Sequence, residues 1–314
     1  MPLQLYSSDN LPVEEWTELT GNSFYSSPGF ARIWRALGGR EIFTVLREGN
    51  RLVAGMVGVL FGHFPFLRYQ SMPDGITGCP YFAAGFGDEF KQEFYTGLGD
   101  WLRSRRVIRA DIHNPPGDFR MKGFALGERY THVIMLSDGV FHPTDPGIGK
   151  HIRTGQRRGA EVSLFTDASR LDDFYRLVKV TERRHNLKPR FPLELFRRLH
   201  RLSLDDSRIL WLMVQYDNIM IGSRICLIEG TELLAWQFYS DKDYTHLKPG
   251  YLMFDYIFRH ASEYGLKVIN LGWSPPEVTS LIDYKERWGG EKQTFKYHTY
   301  FSCLGKFLYR WRPE

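Results

Sequence analysis

The chain has 314 residues, enough for two domains, and its 41 Lys+Arg against 36 Asp+Glu give a net charge of +5. That mild basic excess excludes a polyanionic tail protein and bulk packaging of nucleic acid, DNA included, while leaving local phosphate sites open. Hydrophobic residues at 43% and charged residues at 25% exclude a disordered chain.

Cys79, Cys226 and Cys303 lie far apart with no CxxC pair, so neither a disulfide framework nor a metal site is expected. The first residues carry Asp9, Glu14 and Glu15 without the apolar stretch of a signal peptide. The longest apolar run, 53–61, is far too short to span a bilayer. The chain reads as cytoplasmic.

In chain order, the first recognisable element is a hairpin over 43–62, two β-rich runs around Glu48-Gly49-Asn50. An amphipathic helix over 88–104 and a strand over 107–116, ending in Pro-Pro, follow it. The Gly- and Pro-rich stretch 137–149 has no periodicity and marks a domain boundary. Beyond it, 149–159 is basic. As a helix it carries Lys150, Arg153 and Arg157 on one side, a spacing that suits bidentate contact with phosphate but equally describes a solvated face.

Helices over 171–181 and from Pro192 come next, flanked by two further basic clusters, Arg183 to Arg190 and Arg197, Arg198 and Arg201. A second hairpin, 210–230, turns at Asp217-Asn218. The aromatic strand Trp236-Gln237-Phe238-Tyr239-Ser240 then feeds a polar loop and a helix opening at Gly250. A strand running through a loop into a helix N-terminus can hold an anion. Gln237, His246, Lys248, Gly250 and Tyr251 are the candidate contacts there. A strand over 267–276, again ending in Pro-Pro, repeats the order of the first half, so the chain reads as one unit written twice. This gives two α/β (α+β) domains, 1–145 and 146–314, each a mixed, mainly antiparallel sheet flanked by helices.

The last cluster is Asp283-Tyr284-Lys285-Glu286-Arg287-Trp288-Gly289-Gly290. A Tyr or Lys held in a partly apolar site can donate a proton or steady an oxyanion. The competing reading is an amphipathic turn with Tyr284 and Trp288 in the core and Lys285 in water. The tail 301–312, mixed aromatic and basic, is either a final strand with a basic end or a weak membrane-surface contact. Zinc-peptidase, α/β-hydrolase and P-loop signatures are absent.

These pieces resemble the GNAT acyltransferase fold, and the duplication resembles the tandem arrangement of FemAB-type proteins. Those include the peptidoglycan-bridge aminoacyl transferases and an acetyltransferase group of bacterial polysaccharide gene clusters. Tyr284-Lys285-Glu286-Arg287-Trp288-Gly289 is similar to that family's aromatic-Lys-x-x-aromatic-Gly signature. The basic stretch from Lys150 is similar to the helix opening its second domain, and Pro249-Gly250-Tyr251-Leu252 to the turn before its long helix.

The resemblance implies transfer of an acetyl, acyl or aminoacyl group to an amine, with Lys285 at the family's active-site lysine. Tyr284 or Tyr239 would protonate the leaving group, and the Lys150 helix would face a phosphate-bearing cell-envelope or amino-sugar precursor. The donor would be acyl-CoA (acetyl-CoA) or, as the alternative, aminoacyl-tRNA. Leu247-Lys248-Pro249-Gly250-Tyr251-Leu252 lacks the first and last residues of the pyrophosphate loop of CoA-using relatives, which puts CoA in doubt. A non-catalytic module holding a nucleotide-activated or lipid-linked precursor is the alternative of a different class.

Overall fold

The computed structural model describes residues 3–113, 121–136 and 143–309. Two units emerge, Met1–Arg129 with Thr294–Glu314, and Tyr130–Gln293.

In the first unit, β1 (Gln4–Tyr6) leads through α1 (Val13–Thr20) and α2 (Pro28–Ile33) into the expected hairpin, β2 (Arg40–Glu48) and β3 (Arg51–Phe61). Glu48 pairs with Arg51, and Gly49 turns the chain at φ +58. Then come β4 (Arg68–Gln70), β5 (Tyr81–Phe82), α3 (Asp88–Ser104), β6 (Arg109–His113) and the opening of β7 (Phe124–Met135). All pairings are antiparallel except β4 with β6, which run parallel because α3 carries the chain back between them. Leu46, Met56, Tyr69, Phe94, Leu98 and Ile112 fill the core. The Pro-Pro expected to close β6, at 115 and 116, lies outside the described residues.

The second unit begins with the rest of β7 and continues through α4 (Gly147–Arg157), β8 (Glu161–Leu164), α5 (Leu171–Arg184) and α6 (Leu193–Asp205). The second hairpin is β9 (Ile209–Tyr216) and β10 (Ile219–Glu229). Asp217 and Asn218 both adopt positive φ, as a two-residue turn matched to strand twist demands. Next are β11 (Glu232–Ser240), α7 (Pro249–Arg259), β12 (Val268–Trp273) and α8 (Thr279–Arg287). The strand order is β7-β12-β11-β10-β9-β8, with only β11 and β12 parallel. Helices α4 and α7 cover one face of this sheet, and α5 and α6 the other. The two sheets thus repeat a hairpin followed by one parallel pair around a crossover helix.

The expected boundary at 145 does not match the division. The final strand, β13 (Glu291–Phe301), runs antiparallel to β6, with Tyr297 opposite His113 and Phe301 opposite Arg109, and so completes the first unit. Conversely β7 pairs through Thr131 to Met135 with β12 and so begins the second. Each sheet recruits its last strand from the far half of the sequence, which a boundary drawn at a Gly/Pro-rich linker cannot reveal. Much of that linker, 137–142, lies outside the described residues. The tail is neither a strand nor fully described: 303–309 form helix α9 (Cys303–Tyr309). Among the described residues no helix is long and apolar enough to cross a membrane.

Candidate functional site

Strands β11 and β12 pair for only three residues, Glu232 to Leu234 against Val268 to Asn270, and then part. Asn270 stands at the point of parting. Its Oδ1 accepts from the Gly272 amide at 2.8 Å and from Thr131, and its Nδ2 donates to Glu232 at 2.8 Å. Gly272 turns at φ +77, a conformation that favours glycine. Parting leaves backbone groups of both strands without ladder partners, and buried carbonyls need donors.

Lys285 supplies them. Its Nζ donates to the Gly272 carbonyl at 2.7 Å and to the Trp273 carbonyl at 3.1 Å. The side chain is therefore buried, at 5% exposure, and the reading that leaves Lys285 in water is corrected. Burial first, and the nearby Arg224 second, push its pKa down to about 7. A neutral lysine keeps two N–H donors, enough for both carbonyls, and gains a lone pair that can accept a proton.

Tyr284, one residue earlier on α8, turns toward α7. A Cβ placed on Gly250 would stand 3.5 Å from Tyr284 Oη and 3.4 Å from Phe238. Burial pushes the Tyr284 hydroxyl up to about 12, so it remains a proton donor. Tyr251 stacks edge-on against Tyr284 at 5.4 Å, and His151 of α4 lies 4.6 Å from the Tyr251 ring. Gly155 lets α4 close on the turn before α7, since a Cβ there would come within 2.6 Å of the Leu247 carbonyl. Asp145 ties the start of α4 to the end of α8, accepting from the Gly147 amide and from the Arg287 guanidinium.

Around the opening of α7 the expected cations are present. Lys150, Arg153 and Arg157 are exposed along α4, and none of them meets an acid among the described residues. Lys248 adopts positive φ as the residue capping α7. His246 is exposed, its carbonyl accepting from Arg158 at 3.0 Å. The first turn of α7 offers little to a diphosphate. Pro249 has no N–H, and the Tyr251 and Leu252 amides both bond to the Lys248 carbonyl, which leaves the Gly250 amide.

Tyr239 and Gln237 are not part of this cluster. In the β10–β11 register Arg224 faces Phe238 and Ser223 faces Tyr239, and successive strand residues point to opposite faces. Tyr239 is buried under α5 and α6, 5.6 Å from the Phe174 ring and 6.1 Å from Phe196, with its hydroxyl donating to Gln237 at 3.0 Å. The sheet separates it from Lys285. Its expected role as proton donor is corrected on that ground.

Three side chains were missed by the sequence reading. Arg224 lies in the middle of the apolar run of β10, a charge at an interior strand position that itself signals a special site. Ser274, directly after the Trp273 carbonyl, is fully buried with no partner for its hydroxyl among the described residues. His132 on β7 is buried too, its Nε2 3.9 Å from a Glu286 oxygen, and burial lowers its pKa.

Comparison with known proteins agrees with this fold. Residues 147–286 match the family profile of the acetyltransferase (GNAT) domain. No curated protein matches the chain in sequence. Among solved structures, FemX superposes with a TM-score of 0.71 at 12% identity, covering 99% of both chains. The C-terminal domain of a putative lysylphosphatidylglycerol synthetase from Agrobacterium fabrum gives 0.61 at 12% identity, over 95% of this chain and 94% of that one. A tandem GNAT protein from the clavulanic acid biosynthesis pathway gives 0.52 at 11% identity, over 95% and 98%.

Proposed function

We propose that this GNAT-fold acyltransferase moves an acyl or aminoacyl group from a phosphorylated carrier to an amine, with Lys285 and Tyr284 at the reacting centre. The observation that carries the proposal is the Lys285 amine on the Gly272 and Trp273 carbonyls, where β11 and β12 part. The wedge between the strands is where an extended acyl arm would lie in this reading, with strand-end amides to polarise its carbonyl. The acceptor amine attacks that carbonyl. Neutral Lys285 takes the proton the amine sheds, directly or through water. Tyr284, still protonated, gives its proton to the departing oxygen or sulfur.

The exposed face of α4 supports a phosphate-bearing substrate, because cations one helical turn apart suit successive phosphates. A cell-envelope or amino-sugar precursor is the acceptor class we favour, in keeping with the resemblance of Tyr284-Lys285-Glu286-Arg287-Trp288-Gly289 to the FemAB-type signature. The α7 turn, with its proline and occupied amides, does not fit the diphosphate of CoA. This favours an aminoacyl ester on tRNA as donor. A module that binds an activated precursor without transferring anything is the second reading, and the same depleted turn favours it.

The test is a donor panel of acetyl-CoA, longer acyl-CoAs and aminoacyl-tRNAs, set against amine acceptors and read by mass spectrometry. Product with any pair that disappears in Lys285→Ala supports transfer. Tight binding of a nucleotide-activated sugar with no product from any pair would replace transfer with the binding module.

A further inference from the structure

Arg224 is a cation with no anion among the described residues. Its side chain is buried in the core of the second unit, at 6% exposure, with the guanidinium stacked 4.1 Å from the Phe254 ring centre and 4.8 Å from Phe238. The Nε hydrogen has no acceptor, and no carboxylate among the described residues pairs with it. Phe254 also faces Tyr284, the neighbour of Lys285 on α8, with ring centres 6.3 Å apart, and the Arg224 charge helps to lower the Lys285 pKa. A buried guanidinium without a counter-charge is costly, and proteins seldom keep one for stability alone.

The Phe238 and Phe254 rings lie against the guanidinium but accept no hydrogen bond in its plane, and the Nε–H is left without an acceptor among the described residues. An edge presenting two parallel N–H groups matches a planar carboxylate.

We infer that Arg224 binds a carboxylate carried by one of the two substrates, holding it by the guanidinium edge next to Lys285. The inference rests on the transfer reading for the word substrate, but not for the site. Carboxylate binding here neutralises the local field, so it also raises the proton affinity of Lys285 and couples substrate charge to the state of the base.

The experiment uses the full chain and sodium succinate as probe, with neutral succinamide as control and ionic strength held with chloride. Succinate should raise the melting temperature and shift the Lys285 titration, followed by the NMR signal of its Cε, to higher pH. Succinamide should do neither. Arg224→Met should bind succinate at least ~10-fold more weakly, the loss of about one charge-assisted hydrogen bond. Arg224→Lys, which keeps the charge without the fork, should fall between them.

Two pairs then locate the carboxylate: a donor acyl group with and without a terminal carboxylate, and an acceptor amino acid beside its amide. The pair whose preference vanishes in Arg224→Met is the source. Succinate that leaves both melting and the Lys285 titration unmoved, or acts equally on wild type and Arg224→Met, overturns the inference even if transfer is observed. Succinate binding lost in Arg224→Met sustains it even if the donor panel gives no product.

Discussion

Lys285 on α8 donates to the carbonyl of Gly272 on β12 at 2.7 Å, across the point where the only parallel pair of the second sheet separates. One side chain thus closes a structural gap and, in the proposed reaction, also serves as the base beside the acyl carbonyl. The two duties can be told apart. Lys285→Met should lower kcat/KM by at least ~100-fold, the scale of a lost general base. It should also cost ~1–3 kcal/mol in urea unfolding, because a buried carbonyl loses its donor. Lys285→Arg should recover stability but not rate.

The pKa of Lys285 gives the pH dependence a sign. Its folded value, about 7, lies below the ordinary 10.5. Between those two values the unfolded chain binds a proton that the folded one does not, so this residue makes stability rise with pH through that window. Below about 7 both states are protonated and its contribution is flat. Activity should likewise rise as pH passes 7 and the amine becomes free to accept a proton. Subtracting the Lys285→Met profile from wild type, in both stability and rate, isolates the effect.

Tyr239→Phe and Tyr284→Phe make a paired test of which tyrosine matters. The first hydroxyl bonds Gln237 on the α5–α6 face of the sheet, and the second points at Gly250. Tyr239→Phe should stay within ~3-fold of wild-type kcat, since it removes one partly compensated hydrogen bond. Tyr284→Phe should lose ~10-fold or more, in line with removal of a donor to developing charge. Steady-state kinetics with the best donor–acceptor pair decides between them.

Charge on α4 should be felt in KM and not in stability. Replacing Lys150, Arg153 and Arg157 together with glutamate alters exposed residues without acid partners among the described residues, so the urea midpoint should hold. Donor affinity should fall, and the rise of KM with salt expected of the wild type should flatten, because that slope reports phosphate contacts and screening.

Gly155→Ala tests how α4 is held. A Cβ within 2.6 Å of the Leu247 carbonyl forces the helix off the turn before α7. Overpacking of this kind costs ~1–3 kcal/mol. KM for the donor should rise as the basic face is displaced, with kcat nearly unchanged.

Much of this was legible in the sequence because local signals carry it. Both hairpins, the helices α5, α6 and α7, and the lysine of α8 follow from period, turn residues and a short motif. Tyr239 was misassigned because its place in an aromatic strand says nothing of which face it takes. That is set by register with β10, and β10 and β11 shift register at Ile225 and Cys226. Arg224 could have been noticed as a charge within an apolar run, but its lack of a partner is a fact of three dimensions. The domain boundary failed for a related reason, as strand pairing between Arg109 and Phe301 leaves no trace near either residue.

That last pairing has a temporal side. β6 is synthesised before any residue of the second unit, yet its neighbour β13 is synthesised only after α8 of that unit. The first sheet therefore waits, one edge open, while almost the whole of the second unit emerges and can fold. Open edges invite wrong partners. Stop codons placed just before β13 should accordingly harm the first unit, and its solubility, far more than the Lys285 centre encoded next to them.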